Sequence, residues 1–186
     1  MKLLLLIGIL GTALYGSPPE IKAPKKEPVT FSSSPTPIYT YPGKTDRDIE
    51  KDLELKPWST KKLMCFDSHY VGVNFKYFIE YTEWFNKFRA EHCPTYGNGD
   101  SFDCENFAFL YKSLMVTSVF KKKNLRQILV GVLMVKSEKP FHGIGGDGLH
   151  ALNIIYTSAG WYVVEPQNGQ YTELEKYTNP IIRYIF

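Results

Sequence analysis

The sequence predicts an α+β fold, with helices in the first half of its folded part and a sheet in the second. Apolar residues recur at helical spacing from 74 to about 89 and again from about 103 to 119. A near-continuous apolar run at 128–135 predicts a central strand. Two further segments, 149–156 and 161–167, flank a four-residue loop and predict a hairpin. Because helices precede strands instead of alternating with them, we expect N-terminal helices packed on a C-terminal antiparallel sheet.

The folded part is predicted to span residues 44–186. It opens with a short helix that Thr45 or Asp46 caps and that ends near Leu55, and it closes with a strand over 181–186. The chain has 186 residues, of which 44% are hydrophobic and 15% aromatic, so it can bury a core. This length suits one domain with a tail and not two full domains.

The residues before the domain have the composition of an export signal and a linker. A short basic start, an apolar stretch over 3–10 and small residues at 11–13 are typical of a secretory signal over residues 1–16. An uncleaved anchor is the alternative interpretation. Residues 17–43 are rich in proline, which predicts an extended linker. We therefore expect a secreted or periplasmic protein with no stable membrane span after the signal is cleaved.

The overall composition excludes several functional classes. The formal net charge is +3, which is too small for the dense basic surface of a nucleic-acid-binding protein. The mean hydropathy of −0.23 and the lack of a long apolar run exclude a polytopic membrane protein. Three cysteines are too few for a disulfide-rich scaffold.

The first candidate site residue is Cys104, at the predicted start of the third helix. It follows the glycine-rich segment 97–100, which leaves its sulfur approachable. A thiol at a helix N-terminus feels the positive end of the helix dipole, which favours the thiolate. A buried structural cysteine is the alternative, because most free cysteines are of that kind.

The predicted hairpin places an imidazole near a carboxylate. If Tyr156 pairs with Trp161, the paired residue numbers sum to 317, and His150 lies opposite Gln167. Glu165 is then a diagonal neighbour of His150 on the same face, and a slip of one pairing step would place them directly opposite. A histidine held by a carboxylate and directed at a cysteine is the arrangement of thiol hydrolases.

Three sequence blocks resemble a known family. They read Gly-x-Gly-Asp-x-x-Asp-Cys-Glu-Asn-x-Ala at 97–108, His-x-x-Asn at 150–153 and Trp-x-x-x-Glu-Pro at 161–166. Together they resemble the transglutaminase-like cysteine proteinases, which are relatives of papain. The chain also looks like the papain-like domain attached to certain fungal agglutinins, where the third catalytic residue is likewise a glutamate. The resemblance covers roughly residues 71–167.

This resemblance implies a papain-like or transglutaminase-like core and an exported hydrolase. Cys104 would be the nucleophile, His150 the general base and acid, and Glu165 the residue that orients it. The enzyme would cleave amide bonds of a protein or of peptidoglycan through a thioester, with no cofactor. A transamidating acyltransferase and an inactive binding or structural module on the same fold are the alternatives.

The sequence departs from the family pattern at the oxyanion site. The third residue of the family is usually Asp or Asn, and the papain branch takes an oxyanion donor from a glutamine upstream of its cysteine. No glutamine precedes Cys104 in this chain. The remaining candidates are the Cys104 amide and the side chains of Asn74 and Tyr70, with Trp161 and Gln167 as residues of the cleft wall.

Two acidic residues flank the cysteine at positions where exported relatives bind calcium. These are Asp103 and Glu105, and carboxylate oxygens suit that ion. Two carboxylates leave most of its oxygen ligands unaccounted for, so we prefer helix capping by Asp103 and solvent exposure of Glu105.

The other cysteines and the second glycine-rich segment have separate interpretations. In an oxidising compartment, Cys65 and Cys93 are expected to form a disulfide that leaves Cys104 free. A zinc site and two buried thiols are the alternatives; the zinc ligands would be Cys65, His69, His92 and Cys93. Segment 143–148 precedes a strand, which excludes a phosphate-binding loop and favours a loop that borders the cleft. His142 within that loop is the alternative base.

Overall fold

The computed structural model describes residues 40–54, 63–65, 69–93, 103–120 and 127–186. The chain divides into two compact units, Met1–Ser32 and Ser33–Phe186, and all described residues belong to the second. The predicted signal over residues 1–16, most of the predicted linker and the glycine-rich segment 97–100 lie outside the described residues.

Three helices form where helical periodicity predicts them. They are α1 (Asp46–Glu54), α2 (Phe75–His92) and α3 (Cys104–Phe120). The Thr45 side chain accepts the Asp48 backbone N–H, and the Asp48 carboxylate accepts the Thr45 N–H, which is a reciprocal cap at the start of α1. Asn74 caps α2 by accepting the Lys76 N–H at 2.8 Å.

Nine strands of the described ranges form one sheet. They are β1 (Thr40–Thr45), β2 (Leu63–Met64), β3 (His69–Val73), β4 (Gln127–Ile128), β5 (Val130–Ser137), β6 (Gly148–Thr157), β7 (Gly160–Val164), β8 (Tyr171–Glu173) and β9 (Ile181–Ile185). The main path is β1-β3-β6-β5-β9-β2, with β4 beside β3, and with β7 and β8 continuing from β6. The prediction omitted β1, β2, β3 and β8, and β1 begins inside the predicted linker.

The sheet is mixed, which corrects the predicted antiparallel sheet. Strand β3 pairs in parallel with β4 and β6, and β2 pairs in parallel with β9. A parallel pair requires a long crossover connection, and between β3 and β4 the chain passes through α2 and α3. Sequence alternation indicates a half-buried strand, but it does not show which distant strand becomes its neighbour.

The helices lie on both faces of the sheet. Aromatic residues of α2 and α3, among them Phe78, Tyr81 and Tyr111, pack on the face that carries Val130 and Ile155. Ile49 and Leu53 of α1 belong to the core cluster on the other face, which includes Leu133 and Leu152. Successive strand residues point to opposite faces, so β5 and β6 contribute to both clusters.

A close approach in the sheet centre requires glycine at position 131. A Cβ atom placed there would lie 2.7 Å from ring carbons of Phe186 and 2.9 Å from the Ile185 carbonyl oxygen. Phe186 is fully buried, with its ring stacked 6.5 Å from that of Tyr184. The missing side chain of Gly131 therefore makes room for the last residue of the chain.

No described helix combines the length and the apolar character that crossing a bilayer would need.

Candidate functional site

The sulfur of Cys104 lies at the N-terminus of α3, next to the sheet. Cys104 is 8% exposed and packs in a small cluster with Ala108, Val132 and Ala151. Its thiol donates to the Glu105 carboxylate at 3.4 Å and also hydrogen-bonds to the imidazole of His150. The helix start thus brings Cys104 and His150 together, as the sequence predicts.

The imidazole of His150 is held by a buried carboxylate. Its Nε2 atom lies 2.7 Å from Oε2 of Glu165, and the two residues are 7% and 2% exposed. The predicted register is confirmed, because Tyr156 pairs with Trp161 and Asn153 with Val164. The hairpin loop is shorter than predicted, since the pairing continues to Thr157 and Gly160.

The site lies where the α3 layer meets the edge of strand β6. Strand β7 ends at Val164, so within the described residues β6 has no strand partner on that side beside His150. Beyond that point, β6 still pairs with β5, where His150 lies opposite Val135. Cys104, from the α3 layer, meets the imidazole at this edge.

Backbone amides fix the Glu165 carboxylate. Oε2 accepts the Gly145 N–H at 3.0 Å in addition to the imidazole, and Oε1 accepts the Gln167 N–H at 3.1 Å. Donors to both oxygens stabilise the charged carboxylate and hold it in one orientation. The sequence predicted Gln167 near the site but did not predict Gly145, because an amide donor carries no side-chain signal.

The glycine-rich loop borders the imidazole, as predicted. A Cβ atom on Gly146 would lie 3.3 Å from Nδ1 of His150, so a larger residue would crowd the ring. Phe141 and Ile144 form an isolated bridge that closes the start of the loop. His142 is exposed, with its ring against Phe141, whereas His150 contacts both the thiol and the carboxylate. Of these two histidines, His150 is therefore the one that contacts both Cys104 and Glu165.

The cluster favours a protonated imidazole at neutral pH. Burial acts to lower the pKa of His150, but its hydrogen bonds to Cys104 and Glu165 and their negative charges raise it to about 9. A proton transferred from sulfur to this ring leaves a thiolate beside an imidazolium, and the thiolate is the nucleophilic form of cysteine.

We expect the stability of the fold to decrease between pH 7 and 10. The pKa of His150 is higher in the folded protein than the value of about 6.5 in an unfolded chain. Its contribution is therefore complete below about pH 6.5 and is lost as the pH rises through about 9, a change on the order of 3 kcal/mol. Urea unfolding at pH 6 and pH 10 measures this loss. The His150→Gln variant serves as the control, and an equal loss in that variant would contradict the assignment.

Asn153 links the strand of His150 to the helix of Cys104. Its side chain is fully buried, and Nδ2 donates to the carbonyl oxygens of Ala108 at 2.9 Å and Gly131 at 3.1 Å. Its Oδ1 atom is buried and has no hydrogen-bond partner among the described residues. An unpaired buried acceptor costs about 1–3 kcal/mol, so this residue is not optimal for stability alone.

Three of the predicted site residues lie elsewhere in the fold. Trp161 pairs with Tyr156, six residues along β6 from His150, which is roughly 20 Å at strand spacing. Its Nε1 donates to Asp52 of α1 at 2.9 Å. Asn74 is the cap of α2, and Tyr70 is a core residue with 1% exposure whose hydroxyl hydrogen-bonds to Cys65. None of the three has a described contact with Cys104, His150 or Glu165.

The cysteines are all free, which corrects the predicted Cys65–Cys93 disulfide. Cys65 packs against the core cluster on the α1 face of the sheet, whereas Cys93 ends α2 on the opposite face. The sheet therefore separates the two thiols. Within the described ranges, no three side chains of the His, Cys, Asp and Glu types come together to hold a metal ion.

The acidic residues beside Cys104 have local partners. Asp103 accepts the Asn106 N–H at 3.3 Å, which is the expected capping contact. Glu105 accepts the Cys104 thiol instead of facing only solvent.

The fold is similar to that of lectin structures. One similar structure is the PSL1a–E64 complex of Polyporus squamosus lectin, with a TM-score of 0.59 and 18% identity over 77% of this chain. Another is Polyporus squamosus lectin bound to the human-type influenza-binding epitope Neu5Acα2-6Galβ1-4GlcNAc, with a TM-score of 0.58, the same identity and the same coverage. This chain spans 50% and 49% of the two lectin chains. No family model and no curated protein sequence matches the chain.

These matches correct the family and function that the sequence blocks imply. The similar structures are lectins, so the assignment to the transglutaminase-like or papain-like cysteine proteinases is not supported. The predicted amide hydrolase, with its thiol-protease class, is contradicted on the same ground. At 18% identity the likeness shows the fold alone.

Proposed function

We propose that this chain is a carbohydrate-binding module whose ligand site is the open edge of β6 beside Cys104, His150 and Glu165. The observation that carries this proposal is the likeness of its fold to that of lectin structures, one of which holds a sialylated glycan. Because the chain spans half of each lectin, the ligand class and its place are both part of the proposal.

The surroundings of the site suit a ligand rich in hydroxyl groups. The turn after Glu165 brings amide side chains to the glycine-rich loop: Asn168 donates to the Gly143 carbonyl at 2.8 Å, and the side chain of Gln170 lies beside Gly143. The Gln167 backbone donates to Glu165 in the same turn. Sugar hydroxyls donate and accept hydrogen bonds, so a few convergent polar groups of both kinds provide specificity.

An exposed aromatic ring adjoins these amides. Tyr171 follows Gln170 directly, is 42% exposed, and packs edge-on against Phe78 at 5.3 Å between ring centroids. Such packing holds the ring in place while part of it stays open to a ligand. Tyrosine presents an apolar face together with a polar hydroxyl, which matches the mixed character of a sugar ring.

Peptidoglycan is the ligand polymer that this proposal favours. Peptidoglycan combines glycan strands with peptides. The export signal predicted over residues 1–16 would deliver the protein to a compartment that contains cell wall.

The proposal predicts glycan binding that depends on Tyr171. The full chain should be retained on purified peptidoglycan or on one member of a polysaccharide panel, and Tyr171→Ala should weaken retention about tenfold. Phe109→Ala is the matched control, because Phe109 is a similarly exposed ring (46%) on α3. Isothermal titration with a soluble fragment of the retained polymer measures both variants.

Two results would contradict the binding-module proposal. One is retention on no glycan, or equal weakening by the Tyr171 and Phe109 substitutions. The other is catalytic turnover of casein or cell wall that is lost in Cys104→Ala.

We also propose Cys104, His150 and Glu165 as the reactive residues of this site. The contact of the thiol with a buried, carboxylate-held imidazole supports a nucleophilic sulfur. Such a sulfur displaces the halide of an alkylating reagent such as iodoacetamide: the S–C bond forms, the C–I bond breaks, iodide leaves, and the thiol proton stays on His150.

A further inference from the structure

We infer that Asn153 is a positioning residue that holds the Cys104 sulfur against the His150 imidazole. The inference rests on the reactive site proposed above. It adds to that site a residue whose described contacts include neither the sulfur nor the imidazole. Asn153 lies three residues after His150 on β6, and its partner Ala108 lies one helical turn after Cys104 on α3.

The hydrogen bonds of Asn153 join three elements at one point. Nδ2 donates to Ala108 of α3 and to Gly131 of β5, and Asn153 itself belongs to β6. Cys104, Ala108, Val132 and Ala151 form the apolar contact of the same helix end with the same two strands. Apolar contacts of this kind have no preferred direction, whereas the two hydrogen bonds of Asn153 fix the position of this helix end along the strands.

The surroundings of Asn153 require a donor and not merely a polar group. Both neighbours are carbonyl oxygens, so the amide cannot flip without placing Oδ1 against two acceptors. In the present orientation, Oδ1 is left buried with no partner in the part of the chain that the structure describes. A residue that only filled space would not need a polar atom left unpaired. A side-chain amide that donates two hydrogen bonds at one point brings this oxygen with it.

The inferred consequence is geometric. If the hydrogen bonds of Asn153 to Ala108 and Gly131 are lost, the first turn of α3 loses these directional links to β5 and β6, and the Sγ–imidazole contact lengthens. A displacement of about 1 Å at a reacting group can cost up to about 100-fold in rate. The reactivity of Cys104 should therefore respond to position 153 even where the fold survives the substitution.

The test follows the alkylation of Cys104 by iodoacetamide in the full chain, read by peptide mass mapping. Asn153→Leu removes both donors at nearly constant volume, and Asn153→Thr keeps one donor. We expect the rate at pH 7 to decrease about tenfold or more in the leucine variant and less in the threonine variant. In the leucine variant, the pH at which the alkylation rate of Cys104 rises should also shift toward the pH at which a small free thiol reacts.

Thr157→Val is the matched control. Thr157 is a fully buried polar residue on the same strand, and it donates to Gly160 at 3.0 Å in the hairpin turn, away from α3. Its loss should destabilise the fold without changing the rate or the pH profile of Cys104. Thermal unfolding of all variants relates any change in rate to stability.

Each result separates this inference from the proposals on which it rests. If Asn153→Leu folds and labels with the wild-type rate and profile, the role of Asn153 is wrong while the reactive site stands. If Asn153→Leu and Thr157→Val change the rate alike, Asn153 is only structural. If Asn153→Leu does not fold, an unchanged rate in Asn153→Thr overturns the inference. If wild-type Cys104 labels like a small free thiol, the reactive site itself fails, whatever the result of the glycan assay.

Discussion

Replacing His150 by alanine is expected to slow the alkylation of Cys104 near neutral pH by about 100-fold. In the wild type, the imidazole accepts the thiol proton, and the resulting imidazolium is stabilised by Glu165 at 2.7 Å. Without the ring, the sulfur loses the neighbouring group that can take its proton, and only the thiolate attacks iodoacetamide. The measurement is the rate of carbamidomethylation at Cys104 in His150→Ala and in the wild type.

The chain contains its own controls for this experiment. Burial raises the pKa of Cys65 and of Cys93, so both thiols should label slowly in every variant. His142→Ala removes an exposed histidine of the adjoining loop and should leave the rate at Cys104 unchanged. If the wild type labels Cys104 no faster than Cys93, or if His150→Ala keeps the wild-type rate, the proposed reactive site is wrong.

Replacing Gly131 by alanine is expected to destabilise the fold by about 3 kcal/mol. The added Cβ atom would lie 2.7 Å from the Phe186 ring and 2.9 Å from a backbone oxygen, distances that require part of β5 or the C-terminal residue to move. Because Phe186 is fully buried, its ring has no free space to enter. Urea unfolding of Gly131→Ala and wild type at pH 7 measures the difference.

A second substitution tests the cause of this destabilisation. Phe186→Leu removes the ring that the new Cβ would meet, so the Gly131→Ala change should cost less in that background. A double-mutant cycle therefore should give a coupling free energy of about 1 kcal/mol or more between the two positions. Additive effects would show that the ring contact is not the reason for glycine at this position.

The local parts of the fold could be predicted from the sequence. Helical spacing of large aromatic residues defined α2 and α3, and the cap at Thr45 defined the start of α1. The pairing of Tyr156 with Trp161 predicted the register that the hairpin adopts. Each of these features depends on residues within about ten positions of one another. A local sequence pattern therefore contains all the residues that determine it.

The sequence predicted the three side chains of the site but not the groups that hold them in place. Cys104, His150 and Glu165 lie together as expected, because a helix start and a hairpin register place them. The amide of Gly145 and the role of Asn153 were not predicted, since each depends on segments far apart in the chain meeting in the fold. Asn74 and Tyr70 were predicted as oxyanion donors by residue type, and Trp161 was predicted in the cleft wall; hydrogen bonds or burial elsewhere hold all three.

By itself, the sequence determined the class of each local element and the identity of the three polar side chains that meet. Only the tertiary structure decided that the sheet is mixed, that β7 ends at Val164, and that the helix carrying Cys104 packs against Val132 and Ala151. The physical reason is that periodicity reports which side of an element is buried, a property of neighbouring residues. Strand partners and strand ends are set by the packing of distant segments, which no short pattern contains.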